Sequence, residues 1–248
     1  MLVINGVRRF VESLASGIDA TFGDMIARKE EKNLNEKFGL YETMYLTLIT
    51  IVYICVLILI VPFVSVYTKD ATDANYIRPV FAYIMVFAEF VFAIRIPYNS
   101  LAYSGGYIKE TKVGGWIEAI TNIALSVILV QYFGIVGVAI GTLVAMIIRT
   151  VEFMMFSSRV VLKRSVLTIL KKIICVAIQV ITVVLIDKYV VANFIEISSY
   201  LNWALYACII FAITCIDVLA INYLIFKSDF KKMKSILKNL MSKRGDKK

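Results

Sequence analysis

The chain has 248 residues, 60% of them hydrophobic and only 18% charged, which is too apolar for an ordinary soluble domain, where apolar usage runs about 45–50%. Against 18 Asp and Glu stand 27 Lys and Arg, a formal charge of +9. Because the apolar residues pool into long runs, that excess reads as membrane orientation and not as a nucleic-acid footprint. Histidine is absent, which removes the commonest general base and the commonest soft-metal ligand, so no metal centre, cofactor or enzyme activity is expected.

In chain order, residues 1–27 come first. Leu2 to Ile4, Val7, Phe10, Val11, Leu14, Ile18, Phe22 and Ile26 recur at helical spacing, with Arg8, Arg9, Glu12, Asp19 and Asp24 among them. Two readings stay open, an interfacial amphipathic helix or a partial transmembrane helix whose charges face protein or water. No basic leader followed by an apolar core is visible there. A chain that opens inside such a helix is expected to lack an upstream half.

Six spans follow, near residues 42–66, 79–102, 114–132, 134–157, 173–191 and 201–226, each close to the length that crosses about 30 Å of hydrocarbon. The first is free of charge from 43 to 66. Pro62 and Pro97 are expected to kink or end the first two helices. The tight connection at Tyr132–Gly134 predicts an antiparallel hairpin between the third and fourth. This makes an all-α integral membrane protein with a helix end and cytoplasmic connector over 1–40, four spans over 41–157, two more over 158–226, and a basic tail over 227–248. In that tail Phe230, Met233, Ile236, Leu237, Leu240 and Met241 form one helical stripe opposite lysines, a pattern suited to anionic lipid.

Loop charge sets the expected orientation. Lys and Arg gather before the first span, in the 103–113 and 158–172 loops and in the tail, whereas the intervening stretches 67–77, 133 and 192–200 hold only Lys69. Cytoplasmic loops carry that excess, so the C-terminus is expected in the cytoplasm. Cys55, Cys175, Cys208 and Cys215 all lie within apolar runs and suggest no disulfide framework.

A charge at mid-bilayer costs about 2.5–3.5 kcal/mol even on lenient insertion scales, so polar residues inside the spans carry the most information. Charged residues there include Glu89, Arg95, Glu118, Arg149, Glu152, Asp187 and Asp217. Glu118, Asn122 and Ser126 step by four along one face of the third span and, with Glu89 and Asp217, are candidate cavity residues. Arg95 precedes Pro97, where a lost donor opens the backbone, and a guanidinium there suits a phosphate. In the fourth span Gly134, Gly137, Gly141 and Ala145 make a small-residue face for close helix packing, continuing into Arg149 and Glu152, which at three residues apart can neutralise each other. The run GIVGVAIG has neither the GxGxxG nor the GxxxxGK(S/T) spacing of a nucleotide-binding loop.

The segment RIPYNSLAYSGGYIKETKVGGWIEAITNIALSVILVQYFGIVGVAIGTLVAMIIRT, residues 95–150, resembles the C-terminal lobe of bacterial polysaccharide-biosynthesis flippases of the multidrug/oligosaccharidyl-lipid/polysaccharide (MOP) superfamily. Upstream, LASGIDATFGDMIARKEEKNLNEKFGLYE, residues 14–42, is similar to the inner end of the family's eighth helix and the segment after it. The resemblance implies a MATE/MOP-like C-terminal lobe in the cytoplasmic membrane, lacking its amino-terminal lobe. It also implies a lipid-linked oligosaccharide as substrate, on an undecaprenyl diphosphate carrier. Arg8, Arg9, Arg95 and Arg149 are then the candidates to meet the diphosphate. Two alternatives stay open: a cation-coupled multidrug exporter of the same fold, using Glu89, Glu118 and Asp217, and an integral-membrane transferase.

Overall fold

The computed structural model describes residues 2–71, 76–193, 197–232 and 235, with only the backbone of Leu2 and Ala192. Its helices are α1 (Leu2–Ala15), α2 (Asp19–Ala27), α3 (Glu31–Tyr67), α4 (Pro79–Ser104), α5 (Ile108–Phe133), α6 (Ile135–Phe156), α7 (Leu167–Tyr189) and α8 (Tyr200–Ile225). A π-helical turn, Ser157–Val161, continues α6, and a 3₁₀ turn, Val191–Asn193, follows α7. Among the described residues there is no strand. Six helices, α3 through α8, are long and apolar enough to cross a membrane. This is the layout of an all-α, multi-pass membrane protein.

Several boundaries depart from the sequence reading. Helix α3 has 37 residues, about 55 Å, so what was expected as a connector before residue 42 is helix, and one end of α3 extends well past a bilayer core. Pro62 ends nothing, and neither does Pro97: both lie within their helices. Proline is tolerated in a span because its neighbours re-satisfy the freed carbonyl. Helix α7 starts at Leu167, so Lys171 and Lys172, read as loop, belong to a helix.

Two three-helix groups share one long seam. Helix α6 packs on α4 and α5, α3 packs on α7 and α8, and α3 lies along α4. At the α5–α6 corner Gly134 has φ +56, a left-handed backbone that glycine adopts without strain. A Cβ on Gly137 would stand 2.2 Å from the carbonyl oxygen of Leu129, and one on Gly141 would stand 2.7 Å from Ser126 Oγ. Bare backbone is therefore what lets the hairpin close, and Ala145 is buried on the same helix. A Cβ on Gly134 would meet nothing within 4 Å; this glycine makes the turn and is not needed bare for packing.

Residues 2–27 form two helices broken at Ser16–Gly17, where Gly17 has φ +92. Ile4 lines a cleft with Ile60, Phe81 and Ile135 at one end of the bundle. At the other end a Cβ on Gly23 would meet the carbonyl oxygen of Ser104, the last residue of α4. The pair α1–α2 thus tracks α4 from end to end, burying Ile4, Val11 and Ala15 at heptad-like spacing.

Past α8, Phe230 packs edge-on against Tyr223 and lines a groove with Leu40, Met44, Leu48 and Leu219. The start of the tail folds back on α3. Met233, Ile236, Leu237, Leu240 and Met241 of the expected stripe lie outside the described residues.

Candidate functional site: a charge lattice across four helices

Helices α1, α4, α5 and α6 bring together most of the charges that the sequence places inside spans. Arg8 Nε lies 3.0 Å from Glu89 Oε2, without the alignment of a hydrogen bond, and 4.0 Å from Glu12 one turn on. Two guanidiniums lie over the Phe92 ring, Arg8 4.0 Å and Arg95 4.7 Å from its centroid, a geometry in which the ring attracts both cations.

One turn along α4, Arg95 Nη1 donates to Glu118 Oε1 at 2.8 Å. The other oxygen of Glu118 faces Arg149 Nε at 3.8 Å. Arg149 also donates from Nη1 to Glu152 Oε2 at 2.7 Å and to the Thr111 carbonyl at 2.7 Å, and stacks 4.2 Å over Phe153. The Glu152 carboxylate needs glycine at position 114, since a Cβ there would come within 1.6 Å of Oε2.

Three of the four candidate arginines, Arg8, Arg95 and Arg149, are therefore already opposite carboxylates. Arg9 is exposed and makes no ion pair among the described residues. The stripe Glu118–Asn122–Ser126 is turned toward neighbouring helices: Glu118 meets Arg95, and Asn122 Oδ1 accepts from Ser126 Oγ at 3.1 Å and from Thr142 Oγ1 of α6 at 3.3 Å. Asp217 stands apart on α8, half-buried, and its Oδ2 has no hydrogen-bond partner among the described residues. Asp187, also charged within a span, accepts from Tyr206 Oη across α7 and α8.

A second cluster escaped sequence reasoning. Glu42, fully buried on α3, accepts from Tyr98 Oη of α4 at 2.5 Å, from Arg164 Nη2 at 2.6 Å and from Lys172 Nζ of α7 at 2.7 Å. Lys172 donates further to Thr43 Oγ1 and the Gly39 carbonyl. The π-helical turn inserts extra residues after α6, and Ser157 Oγ anchors it on the Tyr98 carbonyl at 2.8 Å. Chain leaving that turn delivers Arg164. Glu42 sits at the first edge of a charge-free run and its cations lie over a hundred residues away, so no local spacing signalled the cluster. Outside the spans, Glu31 holds Lys163 charged, its hydrogen bond raising that amine above the usual lysine range.

Between α3, α7 and α8 lies a neutral network: Asn222 accepts from Gln179 Nε2 at 2.8 Å and donates to Thr47 Oγ1 at 2.9 Å. Among the described residues no group of His, Cys, Asp and Glu is arranged to hold a metal ion. Compared with protein families, characterised proteins and solved structures, the chain finds no match.

Proposed function

We propose that this chain is one lobe of a two-lobed transporter that moves an undecaprenyl-diphosphate-linked oligosaccharide across the bacterial cytoplasmic membrane, with its C-terminus in the cytoplasm. The observation that carries the reading is the uncovered face of α1. Asn5, Arg9, Glu12 and Ser13 are exposed on one side of it, next to a separate exposed apolar strip of Val3, Phe10 and Leu14, on a segment that runs beside the membrane-length helix α4. Lipid cannot face the polar side of such a segment at about 2.5–3.5 kcal/mol per charge. Water or a second bundle must, which is the arrangement alternating access requires.

Behind that face Arg8 and Arg95 lie over Phe92, so a diphosphate entering between two lobes would meet guanidinium forks, which suit phosphate oxygens better than a point charge does. The test joins the chain to its amino-terminal lobe in cells whose surface polymer depends on it. Arg95→Lys should keep partial export, and Arg95→Ala should lose on the order of tenfold or more, the weight of a charge-assisted hydrogen bond. Normal export by Arg95→Ala at equal membrane abundance would remove Arg95 from the substrate path. Orientation is tested by Ser165→Cys, which should resist an impermeant thiol reagent until cells are permeabilised.

A cation-coupled exporter of the same fold is the second reading, favoured by Asp217, whose Oδ2 has no hydrogen-bond partner among the described residues. In that case Asp217→Asn should abolish drug efflux, and polymer export should not depend on the chain.

A further inference from the structure

We propose that the Glu118 carboxylate is the resident ligand of an anion site, holding the place between Arg95 and Arg149 that a phosphate or diphosphate group takes when Glu118 swings out. The proposal rests on the reading that an anion reaches this lobe, and it adds what blocks the site at rest.

Geometry carries the argument. The two oxygens of Glu118 face two different guanidiniums, 2.8 Å from Arg95 Nη1 and 3.8 Å from Arg149 Nε, as two oxygens of one phosphate would. The cations do not depend on Glu118 equally. Arg149 is held separately by Glu152 and the Thr111 carbonyl and would stay in place. Arg95 is 8% exposed, and its Nε has no hydrogen-bond partner among the described residues, nor has Asn99 Oδ1 one turn away. A buried guanidinium with an unused donor is under-satisfied by a single carboxylate contact, and a ligand with more acceptor oxygens would serve it better.

Of Arg95, Glu118 and Arg149, Glu118 is also the one with room to move. Its side chain is 26% exposed, against 10% for Arg95 and 6% for Arg149. It belongs to α5, which packs mainly on α6 and leaves Trp116, Ile120 and Ile123 on its outer face. Gly114 and Gly115, the turn before it, present bare backbone beside Glu152 and Arg149. With Glu118 in place, Arg95 and Arg149 are balanced by Glu118 and Glu152; with it turned away, one positive charge is left to attract an anion. The exchange would also sever the ion pair between α4 and α5, giving bound anion a direct effect on helix packing.

The experiment titrates the full 248-residue chain in nanodiscs with two probes, inorganic pyrophosphate and a short isoprenyl diphosphate. Glu118→Gln should bind at least about tenfold tighter than the native chain, the size of one charge-assisted hydrogen bond, and Arg95→Gln added to it should cancel the gain. A gain with both probes assigns the site to the phosphate group itself. A gain with the isoprenyl diphosphate alone assigns it to a lipid headgroup, and either result supports the proposal. Glu110→Gln, which removes the same charge from the exposed start of α5, should leave affinity unchanged. Should Glu118→Gln fold poorly, Glu118→Asp keeps the charge, withdraws it from Arg95 and should give a smaller gain. No gain in either variant, a gain that survives Arg95→Gln, or an equal gain in Glu110→Gln would each overturn the proposal. Because no export is measured, tighter binding by Glu118→Gln alongside normal export by Arg95→Ala would keep the anion site and detach it from transport.

Discussion

Glu42 on α3 and Glu118 on α5 each sit between two cations, yet one is sealed and the other is open. Glu42 is wholly buried and also accepts from Tyr98, so its oxygens are committed to three donors from three parts of the fold. Glu118 keeps a quarter of its side chain exposed and makes one short contact and one long one. A buried carboxylate with several charge-assisted hydrogen bonds is hard to remove, because its partners would be left as uncompensated charges. A partly wet carboxylate with a single short bond can exchange with water or another anion at little cost. The same residue type therefore ties α3, α4 and α7 together at one place and leaves a displaceable contact at the other.

The largest expected effect tests the sealed cluster. Glu42→Gln leaves Arg164 and Lys172 without their counter-charge and should destabilise the fold by about 3–5 kcal/mol, read as a collapse of the melting transition in detergent. Glu118→Gln should cost only about 1–2 kcal/mol. Equal losses would break the comparison. A double-mutant cycle sharpens it: the Glu42–Lys172 coupling should clearly exceed the Glu118–Arg95 coupling.

Next in size is the α5–α6 seam, which holds Glu118 in register. Gly141→Leu must displace the Ser126 side chain and backbone and should cost about 1–3 kcal/mol by overpacking. An unchanged melting transition would mean that this face does not set the position of α5. The smallest effect is expected from the exposed pair Lys163–Glu31, 2.5 Å apart and more than half exposed on both sides. Lys163→Ala should leave thermal stability unchanged in moderate salt, since such pairs are screened. A measurable loss would extend the Glu42 cluster outward to the connector.

What could be read along the chain was whatever depends on near neighbours. Apolar run length marked six spans, and three- and four-residue spacing put Gly137 and Gly141 on the face of α6 that meets α5. The same spacing paired Arg149 with Glu152. These are local facts, because a helix converts short sequence separations directly into a shared face.

What only the tertiary structure decided was which distant charges meet. Arg8 reaches Glu89 and Lys172 reaches Glu42, and those contacts depend on the rotation and depth of whole helices, which periodicity within one helix does not specify. The sequence therefore marked Arg95, Glu118 and Arg149 as residues that need a reason to be in a membrane, but their mutual pairing waited on the packing of α4, α5 and α6. Glu42 shows the limit most sharply. Nothing along the chain singles it out at the edge of an apolar run, and in the fold Tyr98, the turn after α6 and the first turns of α7 bring a hydroxyl and two cations onto it.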